Sequence, residues 1–253
     1  MRKNVKGLVA ITDQYLPFRE PVVEIGSYQV PGQEKLADLR PLLGEKAFIG
    51  CDMRAGPGVD RIEDVEGLTF STGTVGSVIM IDTLEHVRDP RRALAEVYRV
   101  LEPDGVVVAS SVMDFYIHDH PADYWRFTPE AFAYLFEPFD QVLVGWQGNP
   151  EKPHTVFVVA VKEPSVDHAA ALREIQEAYR RSNGTPYWRM AQVYYALRDL
   201  AANLRGWNNR FGFELVARGT AGSAASLGQH SLPQIQTVGA TLQVKSSGTP
   251  SPS

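Results

Sequence analysis

The densest group of chemically active side chains lies within residues 113–127. Two histidines and two aspartates, His118, Asp119, His120 and Asp123, fall within six positions there. A histidine changes its charge near neutral pH, so its ring can accept a proton from a bound substrate. The sequence therefore predicts His118 and His120 as candidate general bases.

The same residues allow two other interpretations. Histidines and carboxylates so close together are potential ligands for a divalent metal. However, Pro121 stiffens the segment and the sequence singles out no cysteine or distant third histidine as a further ligand, so no metal site is predicted. The segment could also be a network that stabilises a loop, in which Trp125 packs and Arg126 pairs with Asp123.

Three acids lie where apolar runs end. Asp52 and Asp82 each close such a run, and Asp64 comes just after a short Gly/Pro loop. Ligands of open α/β sheets bind outside the carboxyl ends of the strands, so these acids are candidate ligand contacts. An acid that ends the second strand can accept hydrogen bonds from both ribose hydroxyls, and Asp64 beside Val65 could meet an adenine ring and its amino group.

The stretch 22–33 leads into these acids. A short β-branched run ends at Glu24 and Gly26 and is followed by an amphipathic segment near 33–43. This order is typical of the strand, glycine turn and helix that open a nucleotide-binding fold, and Gly26 would allow a sharp turn close to a ligand. The pattern is not G-x-G-x-x-G, which disfavours a dinucleotide-dependent oxidoreductase.

Continuous apolar strands alternate with amphipathic helices through the following residues. Asp89 and Thr128 are each followed by proline, so a helix is predicted to begin at each place. Two last strands, near 139–145 and 154–161, could pair as an antiparallel hairpin. The alternation predicts an α/β fold with a doubly wound, mostly parallel sheet that is covered on both faces.

The hydrophobic period changes beyond residue 164. Residues 165–217 predict an appended helical hairpin, and the part 165–206 could be a lid, an oligomer contact or a docking surface. Residues 218–253 contain no aromatic and no acidic residue, so a disordered tail is expected. The predicted domain before the hairpin is 1–164.

The composition excludes several classes of protein. A net charge of −5 and a pI near 5.7 argue against a nucleic-acid partner. Cys51 is the only cysteine, so a disulfide framework and a cysteine zinc site are excluded. No apolar run approaches the ~20 residues of a membrane span, and the basic N-terminus precedes too short an apolar run for a signal peptide. A cytoplasmic protein is expected.

Five segments, in order along the chain, carry a family resemblance. They are Glu24-Ile25-Gly26, Gly50-Cys51-Asp52-Met53, Glu63-Asp64-Val65, Asp82 to Pro90, and Arg99 to Gly105. Together they resemble the motifs of class I S-adenosylmethionine-dependent methyltransferases. The most specific stretch, DTLEHVRDPRRALAEVYRVLEPDG, is similar to a signature of the small-molecule, type 11-like branch of that family. The resemblance covers roughly residues 20–162.

The resemblance implies a Rossmann-like sheet of seven strands with an antiparallel final hairpin, and S-adenosyl-L-methionine as the cofactor. The donor-binding residues that it implies are Glu24, Gly26, Ser27, Asp52, Met53, Asp64, Val65 and Asp82. Glu24 and Gly26 would line the methionine end, Asp52 would hold the ribose, and Met53 and Val65 would border the adenine. His86 would lie close to the donor, as a third candidate base or only as part of the pocket wall.

One segment departs from the family pattern. Three closely spaced glycines usually follow the acid, and residues 27–32 replace them here. The separation between Gly26 and Asp52 is also longer than usual by several residues. The additional residues could form a wider loop over the methionine moiety, or the cofactor site could be impaired.

The predicted function is methyl transfer from S-adenosylmethionine to a small-molecule or glycan-like acceptor, at an oxygen atom. The loop at 113–127 would build the acceptor pocket, because it follows the strand at 105–112 on the ligand-facing rim of the sheet. The alternative is a non-catalytic protein of the same fold that binds a partner through the helical hairpin.

Overall fold

The computed structural model describes most of the chain up to residue 184 and one later segment. The described residues are 3–30, 32, 34–118, 122–149, 151–184 and 210–217. His120, the predicted second helix of the hairpin and the predicted tail at 218–253 lie outside them. Among the described residues, no helix has the length and apolar content needed to cross a bilayer.

The strands form one twisted sheet with the order β3-β2-β1-β4-β5-β7-β6-β8. The strands are β1 (Val22–Ile25), β2 (Phe48–Asp52), β3 (Arg61–Ile62), β4 (Val75–Ile81), β5 (Leu101–Val112), β6 (Gln141–Asn149), β7 (Lys152–Val161) and β8 (Arg210–Ala217). The first five run parallel, and β7 is antiparallel to both β5 and β6. The predicted seven-stranded sheet with an antiparallel final hairpin is therefore confirmed.

Helices cover both faces of this sheet, as the alternation predicts. They are α1 (Lys3–Tyr15), α2 (Glu34–Ala37), α3 (Arg40–Leu43), α4 (Pro90–Val100), α5 (Pro129–Leu135) and α6 (Ala169–Gly184). Successive strand residues point to opposite faces, so Val78 packs with the core under α4 and α5 while Ile79 packs with the core under α1 and α6. Burying each such side chain stabilises the fold by ~1.5–3 kcal/mol.

Two helix starts are where the sequence predicts them. The Asp89 carboxylate accepts hydrogen bonds from the N–H groups of Arg91 and Arg92, both at 3.1 Å, and Pro90 is the first residue of α4. The Thr128 hydroxyl accepts from the N–H of Ala131 at 3.1 Å at the start of α5. Each cap satisfies an N–H that has no partner within its own helix, which contributes ~1 kcal/mol.

Two regions differ from the predicted elements. The helix expected near 33–43 is split into α2 and α3, because Pro41 lacks an N–H and cannot continue a helix that begins at residue 34. The short strand β3 is not predicted from the sequence. Its two residues lie in a polar stretch, and the strand exists only through its pairing with Cys51 and Asp52.

The segment after residue 164 contains one predicted helix and one strand. In α6, Leu172, Ile175 and Tyr179 are fully buried and pack in the same core as α1. Residues 210–217, which the predicted hairpin domain includes, form β8, which pairs antiparallel with β6. The eighth strand thus extends the sheet beyond the seven that the sequence predicts.

Candidate active site

One cavity opens at the carboxyl ends of the parallel strands, with a volume of about 630 Å³. This is within the ~300–1,000 Å³ range of small-molecule sites. Eight predicted site residues line it: Gly26, Asp52, Met53, Asp64, Val65, Asp82, His86 and His118. The fold therefore brings acids from the ends of β2 and β4 and two of the three candidate histidines to one cavity.

Gly26 makes the turn at the end of β1. Its φ is +85°, a left-handed conformation that favours glycine, and its N–H donates to the Cys51 carbonyl at 2.8 Å. A Cβ atom at this position would lie 2.5 Å from the Thr83 hydroxyl. That hydroxyl lies 3.0 Å from the Ile25 carbonyl and 3.1 Å from the Ile81 carbonyl, so it ties the ends of two strands together.

The residues that replace the usual glycines pack against the Gly/Pro loop after β2. The Gln29 N–H donates to the Pro57 carbonyl at 2.8 Å. A Cβ on Gly58 would lie 2.5 Å from the Ser27 carbonyl, and one on Gly50 would lie 2.2 Å from the Gly58 carbonyl. Glycine is required at these two positions because the loop after β2 approaches the backbone of Ser27 on one side and the backbone of β2 on the other.

Asp52 is held in place by the residue two positions later. Its Oδ1 accepts from the backbone N–H of Arg54 at 3.0 Å and from the Arg54 Nε–H at 3.1 Å. The Arg54 guanidinium lies over the Tyr28 ring, 4.4 Å from its centroid. Tyr28 and Arg54 also line the cavity. The loop that replaces the glycines therefore supports the guanidinium that orients Asp52.

Asp64 and Val65 form the next part of the wall. The Asp64 carboxylate caps the short helical turn Val65–Gly67 by accepting from the Glu66 N–H at 2.9 Å. Val65 is buried, whereas Met53, which faces the same cavity, is 56% exposed. Met53 and Val65 are apolar and lie beside the fixed Asp64 carboxylate, so this part of the wall suits a flat ring with polar groups at its edge.

Asp82 lies directly after β4 in a strained conformation. Its φ is +51°, which is uncommon for a residue other than glycine. Its Oδ1 accepts from the Ser110 hydroxyl at 2.9 Å, and its N–H donates to the Ser110 carbonyl at 3.0 Å. Such strain persists only where the surroundings hold it, and it concentrates at functional sites.

Glu24 and Ser27, two predicted donor contacts, do not line the cavity. Glu24 is absent from the cavity wall because side chains alternate along a strand. Its neighbour Ile25 faces the cavity, so Glu24 points to the opposite face of the sheet. Burial raises the pKa of Glu24 to about 8, and the nearby Arg40 guanidinium opposes this only in part. Ser27 is also buried, against Gly50 and the loop after β2.

His86 and His118 lie next to each other on the wall of the cavity. The rings of His86 and His118 meet edge to face with centroids 4.8 Å apart. The Nδ1 of His86 is 2.5 Å from the Ala122 carbonyl oxygen, and the Nδ1 of His118 is 3.1 Å from Asp123 Oδ2 and 3.2 Å from the Tyr116 carbonyl oxygen.

A hydrogen-bonded network that includes Arg126 and Asp123 stabilises the connection between β5 and α5, which is one of the alternatives predicted from the sequence. Arg126 grips both oxygens of the Asp123 carboxylate, at 2.5 and 2.6 Å. The indole N–H of Trp125 donates to the Val87 carbonyl at 2.8 Å. The backbone N–H groups of Tyr124 and Trp125 both donate to the Glu85 carbonyl. The segment that carries His118 is therefore bound to the turn that carries His86.

Glu85 lies beside the two histidines. Its side chain is fully buried and its Oε2 accepts from the Ser111 hydroxyl at 2.6 Å. One potential ligand atom from each of Glu85, His86 and His118 lies within 4.8 Å of the others, and no other such trio occurs among the described residues.

A family model described as a methyltransferase domain (Methyltransf_11) matches residues 46–109, which run from β2 into β5. No curated protein matches the chain.

Several solved structures are similar at low identity. A methyltransferase of Thermotoga maritima, described as a possible histamine N-methyltransferase, is 20% identical with a TM-score of 0.44; the match covers 62% of this chain and 91% of that one. The YcgJ protein of Bacillus subtilis is 15% identical over 64% and 99%, with a TM-score of 0.47. The 1,6-didemethyltoxoflavin N1-methyltransferase of Burkholderia thailandensis, solved with S-adenosylhomocysteine, is 18% identical over 63% and 78%, with a TM-score of 0.48.

Residues 46–109, which supply β2, β3, β4 and the first part of β5 to the sheet, are similar to the methyltransferase domain family.

Proposed function

We propose that this enzyme transfers a methyl group from S-adenosylmethionine to an oxygen atom of a small-molecule or glycan-like acceptor. One observation carries the proposal: a single cavity is lined both by Asp52 and Asp64 and by His86 and His118. The first pair suits the hydroxyls and the base of a nucleoside. The second pair suits a group that must lose a proton.

The donor would lie along the strand ends. Asp52 accepts from the ribose hydroxyls, Met53 and Val65 enclose the adenine, and Asp64 accepts from its amino group. The methionine end follows the turn at Gly26. Asp82, held by Ser110, contacts the donor at the end of β4.

Glu24 and Ser27 would act on the donor only indirectly. Both are buried beside the turn at Gly26, so their contribution is to its shape. This replaces the direct contacts that the family resemblance implies for them.

Methyl transfer is a displacement at a carbon that the sulfonium already activates. The protein must therefore align the acceptor, exclude water and remove a proton from a hydroxyl. Alignment can contribute ~7–11 kcal/mol, and a positioned base typically gives ~10²–10⁴-fold. His86 and His118 are the proposed catalytic residues, since oxygen acceptors lose a proton on methylation. His120 stays a sequence-based candidate.

The acceptor end of the cavity has aromatic walls. Phe115, Tyr116 and Tyr124 line it and are 38%, 72% and 52% exposed. The rings of Phe115 and Tyr116 stack with centroids 4.2 Å apart. Exposed ring faces beside a cavity favour an acceptor that itself has a ring, which supports a small molecule or a sugar.

The test is an incubation with methyl-labelled S-adenosylmethionine and a panel of phenols, sugars, amines and acidic carbons, followed by identification of the methylated atom. Label on a ring-bearing hydroxyl is expected. Label only on nitrogen or carbon would contradict oxygen as the acceptor. Binding of S-adenosylhomocysteine with no transfer to any class would favour the non-catalytic alternative.

Replacing Asp52 with alanine should weaken S-adenosylhomocysteine binding by ~1.5–3 kcal/mol, or about 10–100-fold, because charge-assisted hydrogen bonds to the ribose are lost. Isothermal titration calorimetry measures the change. Asp60→Ala is a control, because Asp60 pairs with Arg40 and the Gly50 N–H and does not line the cavity. Unchanged affinity in a folded Asp52→Ala variant would remove Asp52 from the donor site.

A further inference from the structure

The Asp123 carboxylate is a buried charge with partners on two sides. Its side chain is 2% exposed, and both oxygens accept from Arg126. Oδ2 also accepts from the His118 backbone N–H at 2.9 Å. The Arg126 guanidinium, more than any other group, holds the pKa of Asp123 far below its ordinary value. Asp123 is therefore ionised at neutral pH.

This fixed charge decides which nitrogen of His118 carries the proton in the neutral ring. Nδ1 faces two oxygen acceptors, Asp123 Oδ2 at 3.1 Å and the Tyr116 carbonyl at 3.2 Å. An acceptor at Nδ1 requires a proton there, which makes Nε2 the basic atom. His118 also lines the cavity and is 20% exposed, so its ring can meet an acceptor molecule.

His86 has a different partner. Its Nδ1 lies 2.5 Å from the Ala122 carbonyl oxygen, which also favours the tautomer with Nε2 as the basic atom. A carbonyl is neutral, whereas Asp123 carries a full negative charge. A nearby anion stabilises an imidazolium more than a carbonyl does, so His118 is the ring better able to hold the proton after transfer.

Other charged groups around His118 modify this effect. The positive charge of Arg126 weakens the attraction of Asp123 for the His118 proton, because the guanidinium is bound to the same carboxylate. Glu85, fully buried beside the pair, brings a further carboxyl group from the turn that carries His86. His86 itself faces His118 edge to face. Asp119 and His120 lie outside the described residues.

We infer that His118 is the general base of the reaction and that Asp123 is its positioning residue, which sets the tautomer of the ring and stabilises the imidazolium. This inference rests on the proposed function, since it assumes a hydroxyl acceptor. Arg126 keeps Asp123 in place and limits how strongly it attracts the proton.

Two bonds form and two bonds break in the proposed step. The acceptor oxygen forms a bond to the methyl carbon while the bond from that carbon to sulfur breaks, and its electron pair stays on sulfur. The O–H electron pair stays on the acceptor oxygen, and the proton passes to Nε2 of His118. Neutral S-adenosylhomocysteine and the methyl ether leave, and the imidazolium then releases its proton to solvent.

The first experiment uses nitrogen-15 NMR of the histidine side chains and requires no acceptor. His118 should show the Nδ1–H tautomer. Its titration midpoint should move to lower pH in Asp123→Asn, because the anion is lost, and to higher pH in Arg126→Gln, because the cation is lost. Shifts in the same direction, or none, would overturn the pairing. Since the two variants predict opposite shifts, loosening of the loop cannot imitate the result.

The second experiment measures turnover with an acceptor found by the labelling test. His118→Gln and Asp123→Asn should each lower kcat by ~10²–10⁴-fold and leave S-adenosylhomocysteine affinity unchanged. The acidic limb of the pH–rate profile should disappear in His118→Gln and move to lower pH in Asp123→Asn. The matched control is Asp114→Asn, a carboxylate near the start of the same connection that pairs with Lys152 at 2.9 Å.

The outcomes separate the inference from the proposed function. No methyl transfer by the wild type contradicts the proposed function, whatever the NMR shows. Full turnover by His118→Gln, or equal losses at every pH in Asp123→Asn, overturns the base and its positioning residue while the function stands. If a chelator abolishes the activity and Mn²⁺ or Mg²⁺ restores it, the assignment of His118 as the base is also wrong. That result would favour a metal between Glu85, His86 and His118.

Discussion

Replacing Gly26 with alanine should destabilise the protein by about 2–5 kcal/mol and abolish detectable S-adenosylhomocysteine binding. The left-handed conformation alone costs an alanine ~1–2 kcal/mol, and overpacking adds ~1–3 kcal/mol. The new Cβ would lie 2.5 Å from the Thr83 hydroxyl, which cannot move away without losing its hydrogen bonds to the strand ends. Denaturant unfolding and calorimetry measure the two effects.

Gly32 offers a matched control in the same loop. Its φ is +84°, almost the value at Gly26, but no atom of the described residues lies within 4 Å of an added Cβ. Gly32→Ala should therefore cost only the backbone term of ~1–2 kcal/mol and leave S-adenosylhomocysteine binding nearly unchanged. Equal losses in the two variants would show that the contact with Thr83 is unimportant.

Glu24→Gln should flatten the pH dependence of stability. The pKa of Glu24 is raised from 4.5 to about 8 in the folded protein, mainly by burial. Between these values the unfolded chain releases a proton that the folded chain keeps. The wild type therefore loses stability as pH rises from about 4.5 to about 8, at ~1.4 kcal/mol per pH unit and by several kcal/mol in all. An uncharged glutamine removes this loss.

The measurement is the free energy of unfolding of wild type and Glu24→Gln from pH 5 to pH 9. The free energy of unfolding of the variant relative to that of the wild type should rise steadily up to about pH 8 and stay constant above it. The control is Glu177→Gln, on the exposed surface of α6. Its free energy of unfolding should depend on pH in the same way as that of the wild type. Parallel curves for wild type and Glu24→Gln would mean that Glu24 titrates alike in the folded and unfolded chain.

Features that depend on neighbouring residues could be predicted from the sequence. Asp89 with Pro90 and Thr128 with Pro129 begin helices because a cap and its N–H groups lie within one turn. The acids at Asp52 and Asp82 reach the cavity because parallel strands end at one edge of the sheet. The order of such local units was enough to predict the fold and the side of the sheet that carries the site.

Features that depend on how distant segments meet could not be predicted. Glu24 belongs to a recognisable motif, but strand alternation turns it away from the cavity. The contact of Tyr28 with Arg54 requires two loops to pack together, and no periodicity indicates this. The sequence predicts the pair Arg126 and Asp123 as a loop-stabilising alternative, whereas the contact of Asp123 with His118 depends on the path of the loop.

A crystal structure of the protein with S-adenosylhomocysteine would show whether this cavity is the donor site. We expect the ribose hydroxyls within ~3 Å of the Asp52 carboxylate, the adenine between Met53 and Val65, and the sulfur atom directed towards His118. An adenine beside His86 and His118, or a ligand outside this cavity, would show that the donor site is assigned wrongly.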